Sequence, residues 1–239
     1  SYEKSHRRFQ IGSDVGIRFE DMSSGDLKNI LDAKSDLSEA MKGTVDLLFQ
    51  KGNNFEGFKG RIEDLIAGHE IGGIEKIREM TMEAGPKQKE WQRIQKVFGR
   101  FGRSTNISSL KGILWRVNSL ERDGLFQGDS TPVEETIFQG KIAVIQGSVK
   151  TIQMYATYLI RNLYKKRREY KDDQLLRPGS GEYFPPFFVI TDESHTFAPK
   201  GIPSPSKSVI REIAQEGRKY GVFLILATQR PTLLDDTVT

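Results

Sequence analysis

The sequence predicts an α/β fold: a parallel sheet with helices packed on it, joined to a mostly helical N-terminal region. Two observations carry this. Three short, continuous apolar runs, at 141–146 (KIAVIQ), 187–191 (FFVIT) and 222–228 (VFLILAT), alternate with apolar stripes of helical period. Strands without polar alternation, joined through helices, are the signature of a parallel sheet. Before Gly128, by contrast, the apolar residues recur almost entirely at three- and four-residue spacing, which reads as helix after helix. The expected division is therefore a helical subdomain over 1–128 and a partial sheet core over 129–239.

Taken in order, a short alternation at Val15, Ile17 and Phe19 reads as a first strand. Ser24 is a candidate cap for a helix carrying Leu27, Ile30 and Leu31, and Asp36 with Glu39 makes a capping-box pattern before Met41, Val45 and Leu48. Phe55, Phe58, Ile62, Leu65 and Ile66 form the next stripe, closed by Gly68. Ile74, Ile77 and Met80 follow, stopped by Gly85 and Pro86. Trp91, Ile94, Phe98 and Phe101 mark a fifth helix, and Leu110, Ile113, Leu114, Val117 and Leu120 a sixth, ending at Gly124. Beyond Gly128, Ile152, Tyr155, Leu159 and Leu163 mark a helix after the 141–146 strand. RPGSGEYFPP at 177–186 is loop chemistry. Val209, Ile210, Ile213 and Ala214 mark the helix between the last two strands.

Composition narrows the chemistry. The 239 residues carry 36 Lys and Arg against 32 Asp and Glu, a net charge of +4, which permits a polyanionic partner without requiring one. There is no cysteine, which excludes disulfides, thiolate metal sites and cysteine nucleophiles and fits a reducing, cytoplasmic setting. His6, His69 and His195 have no zinc-type spacing. No apolar run approaches the roughly 20 residues of a membrane helix, and residues 1–10 contain no signal-peptide apolar core.

The strand ends hold the informative residues. FFVIT runs straight into Asp192 and Glu193, and VFLILA into Thr228 and Gln229. Ligands of open parallel sheets bind beyond the carboxyl ends of the strands. The dipeptide alone also suits a strand that simply ends in a loop. Two polar tips in this order suit a nucleotide-hydrolysis site: one carboxylate for Mg²⁺, one to polarise water, and a polar group on the next strand to sense phosphate.

FFVITDESHTFAP, followed by SVIREIAQEGRKYGVFLILATQRPTLLDD, resembles the HerA branch of the HerA/FtsK ATPases, hexameric RecA-like motors that translocate double-stranded DNA. The resemblance is densest over 187–236 and weaker through GKIAVIQGS; the helical stretch matches the family's helical insertion with much lower specificity. It implies a partial RecA-like core. It implies Asp192 as the Walker B Mg²⁺ ligand, Glu193 as catalytic glutamate, and Gln229, beside Thr228, as the polar sensor. Arg218 and Lys219 match the basic pair that such rings place near a neighbouring subunit's ATP; a helix-terminal cation facing the dipole is the other reading of Arg218. The implied cofactors are ATP and Mg²⁺. The implied partners are double-stranded DNA, five further copies in a homo-hexamer, and a nuclease or other effector, with no membrane.

Several features depart from the pattern. Thr191 stands where an aliphatic residue is usual, and Ser194 where alanine is commoner. No G-x-x-x-x-G-K-[ST] motif occurs; Gly140-Lys141 is followed by Ile142. The expectation is a C-terminal part of a longer motor that binds ATP poorly by itself. Three basic stretches are candidates for phosphate contact: 92–103, 161–171 and the loop 200–208 with Lys200 and Lys207, the last preferred because it follows the catalytic edge. Competing readings are a conjugation or secretion ATPase of the same superfamily and a non-catalytic assembly module. A DEAH-box helicase is a further one, disfavoured by the Gln-Arg-Pro after Thr228 and by GRKYG.

Overall fold

The computed structural model of the chain describes residues 5–83, 85–202 and 204–238; Pro203, in the basic loop, lies outside the described residues. Two units are distinguished, Arg18–Phe126 and Ser1–Ile17 with Gln127–Thr239, and each is built by its own logic.

The first unit is helical. Its strand order is empty: helices α1 (Ser24–Lys34), α2 (Glu39–Leu48), α3 (Phe55–Glu70), α4 (Ile74–Met82), α5 (Gln88–Phe101) and α6 (Ile107–Arg122) follow one another, among the described residues without a strand. Side-chain caps start four of them. Ser23, Ser38, Asn54 and Asn106 each accept the backbone N–H three residues on, at 3.1, 3.3, 2.8 and 2.8 Å, which satisfies donors that the first turn leaves open. The caps of α1 and α2 are thus Ser23, in a reciprocal box with Asp26, and Ser38, where the sequence favoured Ser24 and the Asp36–Glu39 pair. The local patterns are near-degenerate, and the backbone chose the register in which Leu27, Ile30 and Leu31 are buried.

Phe19 sits among Phe49, Phe55, Phe58 and Phe126 at ring separations of 5.5–5.8 Å, so the alternation at 15–19 reports burial, not a strand. The buried Arg116 guanidinium donates to the carbonyls of Ser35, Asp36 and Gly112 at 3.0, 2.8 and 2.8 Å. It ties the turn between α1 and α2 to α6. α3 packs on α5 and α6. At the α3–α5 contact Phe98 lies against two glycines: a Cβ on Gly68 would come to 2.3 Å from the Phe98 ring, and one on Gly102 to 2.6 Å. Gly68 therefore admits a ring inside α3; it does not close the helix, which continues to Glu70.

The second unit holds the strands. β1 (His6–Gln10) pairs in parallel with β2 (Ile142–Gln146), His6 opposite Ile142. β3 (Phe187–Thr191) pairs in parallel with β4 (Val222–Leu226), Phe187 opposite Val222 and Thr191 opposite Leu226. The α/β class and the mostly helical region stand as expected. The three predicted strands do not share one ladder: 141–146 pairs instead with residues 6–10, and the described strands form two two-stranded sheets. The first strand lies ahead of 15–19 because the chain turns at Gly12 (φ 91°). The Asp14 carboxylate accepts the Gln10 N–H at 2.8 Å and closes that turn. α7 (Thr131–Phe138) packs on β1 and β2, α8 (Val149–Leu176) on α9 (Lys207–Tyr220), and α9 on β4. α9 covers one face of the β3–β4 ribbon. On the other, Phe188 and Ile190 are more than half exposed, and Phe188 stacks on Phe223 at 5.1 Å.

Gly68→Ala is expected to destabilise the helical unit by about 1–3 kcal/mol, the usual cost of overpacking, read as a lower urea midpoint. Combining it with Phe98→Leu should recover part of the loss; strict additivity of the two substitutions would show that the clash is not the cause.

Candidate hydrolytic edge

The carboxyl ends of β3 and β4 are joined by a compact set of hydrogen bonds. The ladder runs one step past β4, where Ala227 N–H donates to the Thr191 carbonyl at 2.9 Å. Ser194 then bonds the Ala227 carbonyl twice, through its amide at 2.9 Å and its hydroxyl at 2.8 Å. The Ser194 hydroxyl also lies 2.7 Å from Thr191 Oγ1. The hydroxyls at 191 and 194, both buried, therefore partner each other. A buried hydroxyl at only one of these positions would have lost that partner.

Between them the backbone is strained. Glu193 has φ 47° and ψ 48°, and among the described residues it is the one non-glycine at positive φ. A non-glycine in the left-handed region costs on the order of 1 kcal/mol or more, and it persists where surrounding bonds over-determine it. Ser194 on one side supplies that. On the other, Asp192 Oδ1 accepts the Glu193 N–H at 2.9 Å. The conformation turns Glu193 off the strand direction. Its Oε2 lies 3.3 Å from His195 Nδ1, and the same nitrogen lies 2.9 Å from Thr228 Oγ1. Thr228 Oγ1 in turn accepts the Arg230 N–H at 3.1 Å.

The structure thus brings Asp192, Glu193 and Thr228 to one edge and adds His195, which the sequence offered only as an isolated histidine. Its position two residues after Glu193 was the available signal. Asp192 is exposed and Glu193 partly so, and Gln229 is exposed on the turn after β4. Arg218 and Lys219 lie elsewhere. They occupy the last turn of α9, next to the first residue of β4, with Lys219 Nζ 5.2 Å from the Tyr220 ring centroid. A five-residue strand spans roughly 15–17 Å, so within one chain these cations stand at the sheet edge opposite Glu193. Gly217 and Gly221 make that turn: a Cβ on Gly217 would meet the Val222 carbonyl at 2.6 Å, and Gly221 has φ 76°.

The loop after the site is clamped. Asp235, almost fully buried, accepts from Arg211 Nε at 2.7 Å and lies 3.0 Å from Lys207 Nζ. Lys207 also donates to the Pro199 carbonyl at 2.7 Å. Lys200 pairs with Asp236 at 2.7 Å. Both candidate DNA-contact lysines are therefore ion-paired here. Hydrogen bonds from Arg211, and secondarily from Lys207 and Thr237, hold the Asp235 carboxyl well below the usual carboxylate range. Of the 161–171 run, Lys166 pairs with Glu134 at 2.7 Å and Arg168 with Glu212 at 2.8 Å, and Arg167 is buried.

No family model matches the chain. It is similar to the DNA double-strand break repair helicase HerA of Pyrococcus furiosus, 27% identical over 57% of this chain and 29% of that protein. It is also similar to HerA of Saccharolobus solfataricus, 30% identical over 46% of this chain and 21% of that protein. A probable helicase of Methanocaldococcus jannaschii is 43% identical over 23% of this chain and 10% of its own length. The chain spans less than a third of the length of these curated relatives. The similarity supports a helicase or ATPase relationship at the level of the family. Among the described residues no helix is long and apolar enough to cross a membrane.

Asp235→Asn is expected to lower the melting temperature at neutral pH. A carboxylate whose folded pKa is depressed contributes stability that is fully present above the unfolded value, about 4, and is lost as pH falls through the folded one. The gap between wild type and variant should therefore close progressively below about pH 4. A gap of constant size down to the acid transition would deny Asp235 this role.

Proposed function

We propose that this chain carries the hydrolytic edge of an ATP-driven double-stranded DNA translocase of HerA type. The observation that carries the reading is the β3–β4 edge itself: consecutive carboxylates, Glu193 locked in a left-handed turn, and Thr228 just past the end of the neighbouring strand. In this reading Asp192 holds Mg²⁺, directly or through water. Its carboxylate is exposed, and among the described residues no group of three or more His, Asp or Glu is gathered to hold a metal, which fits an ion that keeps most of its waters and takes one carboxylate plus phosphate oxygens. When bound, Mg²⁺ neutralises charge developing on the phosphoryl oxygens. Glu193 accepts a proton from the attacking water. The contact with His195, itself bonded to Thr228, parks its carboxylate before substrate arrives, and Gln229, exposed on the turn after β4, is the residue that would sense a γ-phosphate. A phosphate-cradling P-loop is absent from these residues, so the chain alone is expected to bind ATP poorly, and the ATP site is completed by other segments.

Arg218 acts in trans in this reading. Its place at the far sheet edge keeps it from Glu193 of its own chain and suits a ring in which it meets a neighbour's ATP, where an arginine stabilises transition-state charge. A homo-hexamer threaded on duplex DNA and working with a nuclease or another effector is the assembly that this arrangement serves.

The test uses the natural ATPase. Glu193→Gln should lower kcat by about 10²–10⁴-fold, the range for loss of a general base, and leave ATP affinity within a few-fold. Hydrolysis at the wild-type rate would remove Glu193 from the mechanism. Mixing Arg218→Ala subunits with subunits disabled at their phosphate-binding loop should restore some activity at hybrid interfaces; mixed rings without recovery would end the trans assignment.

A further inference from the structure

Three basic stretches were legible in the sequence, and the structure separates them. The charges of the 200–208 loop and much of the 161–171 helix are taken up by carboxylates or buried, as described above. α5 is different. Lys89, Arg93, Lys96 and Arg100 recur at spacings of four, three and four, which at 3.6 residues per turn confines them to about 60° of the helix circumference. Arg103 follows three residues later in the 3-10 turn Gly102–Ser104. All five are exposed, while Ile94, Phe98 and Phe101 on the opposite side are buried.

Arg93 is spoken for: its Nε and Nη2 hold the buried Asp64 at 2.9 and 2.8 Å. Lys89, Lys96, Arg100 and Arg103 make no ion pair among the described residues, and Arg100 lies 4.9 Å from the Phe101 ring centroid. Glu90 and Glu63 are near Arg93, and Glu90 falls about 100° off the stripe. A second guanidinium lies close: burial, and then the Arg100 charge, push Arg61 below its ordinary value, and its Nη1 and Nη2 donate to the Asn53 side-chain oxygen at 2.7 and 2.9 Å. Two like charges acting on each other favour an anion beside the exposed one, Arg100.

We infer that the α5 stripe of Lys89, Lys96, Arg100 and Arg103 is a phosphate-backbone contact for duplex DNA, separate from the hydrolytic edge. From Lys89 to Arg100 the stripe is roughly 17 Å long, a length of duplex that carries about ten phosphate charges. A rigid row of cations without base-reading geometry suits sequence-blind contact. A lipid surface is the poorer fit, since a membrane-lying helix must offer an apolar face for insertion, and the apolar face of α5 is already buried within its own unit. The choice of duplex DNA rests on the proposed function; the stripe itself does not.

The test uses the 239-residue chain and fluorescein-labelled duplexes of two unrelated sequences, read by anisotropy across a series of KCl concentrations. Replacing Lys89, Lys96, Arg100 and Arg103 with Gln should weaken binding equally for both sequences. It should make the slope of log affinity against log salt shallower by about 0.9 for each lost phosphate contact. Replacing Lys89 and Lys96 with Arg should leave the slope unchanged. The smaller variant Lys96→Gln with Arg103→Gln reads the same quantity with less risk to the helix, and circular dichroism checks both folds. An unchanged slope in a folded Gln variant overturns the inference and leaves the ATPase reading intact. So does failure of the wild-type chain to bind duplex at low salt, or equal binding to phosphatidylserine vesicles or polyglutamate. The Glu193→Gln assay decides the ATPase reading separately.

Discussion

The Ala227 carbonyl and the two bonds it takes from Ser194 are the constraint on which the candidate site at the β3–β4 edge depends. β3 and β4 are short, and their ladder ends at Thr191 and Ala227. Without a further tie, the residues beyond would leave the sheet independently. Ser194 supplies the tie through both its amide and its hydroxyl. With the chain fixed at Thr191 and again at Ser194, the two residues between them must complete a turn in minimal length, and Glu193 takes the left-handed conformation that this demands. The same short span points its carboxylate at His195, whose Nδ1 also meets Thr228. Backbone strain at Glu193 is therefore a consequence of how tightly the strand ends are sewn together.

The opposite edge is organised by a single buried cation. Arg167 of α8 donates to the Tyr220 carbonyl at 2.6 Å and to the Phe184 carbonyl at 2.5 Å. These carbonyls precede β4 and β3 respectively, so one guanidinium sets the entry of both strands. Burial lowers its pKa, yet a guanidinium stays charged far above physiological pH; the group keeps its donors at any working pH. The turn it holds is the one that presents Arg218 and Lys219. Each end of a five-residue ribbon is thus pinned by a different chemistry, hydroxyl and amide at one, guanidinium at the other. The polar residues at the two ends are held at a fixed separation.

Much of this was readable in one dimension because its signals are local. The helices of the first unit announce themselves by period, since burial of a stripe on a helix needs only residues three and four apart. The β3 and β4 runs and the carboxylates after them are contiguous, so Asp192, Glu193, Thr228 and Gln229 were found from their place at strand tips. Cap positions were off by one or two residues because Ser23 and Ser24 are chemically equivalent and only packing of Leu27, Ile30 and Leu31 distinguishes them. The 15–19 alternation misled for a related reason. Val15, Ile17 and Phe19 are all buried, as alternation implies, but a turn closed by Asp14 and an aromatic cluster do the burying.

The sequence by itself determined the α/β class, the helical region, the strand-tip carboxylates and the likeness to HerA, all of which are written in neighbouring residues. Tertiary structure alone decided what depends on partners distant in the chain. It paired residues 6–10 with 142–146, joined Thr191 to Ser194 and both to the end of β4, and buried Arg167 while leaving the α5 cations in solvent. It also locked Lys207 onto Asp235. Charge and hydroxyl groups look alike along a sequence, whatever their fate; whether a lysine is spent on a buried carboxylate or left facing water is set by what the fold brings within about 3 Å of it.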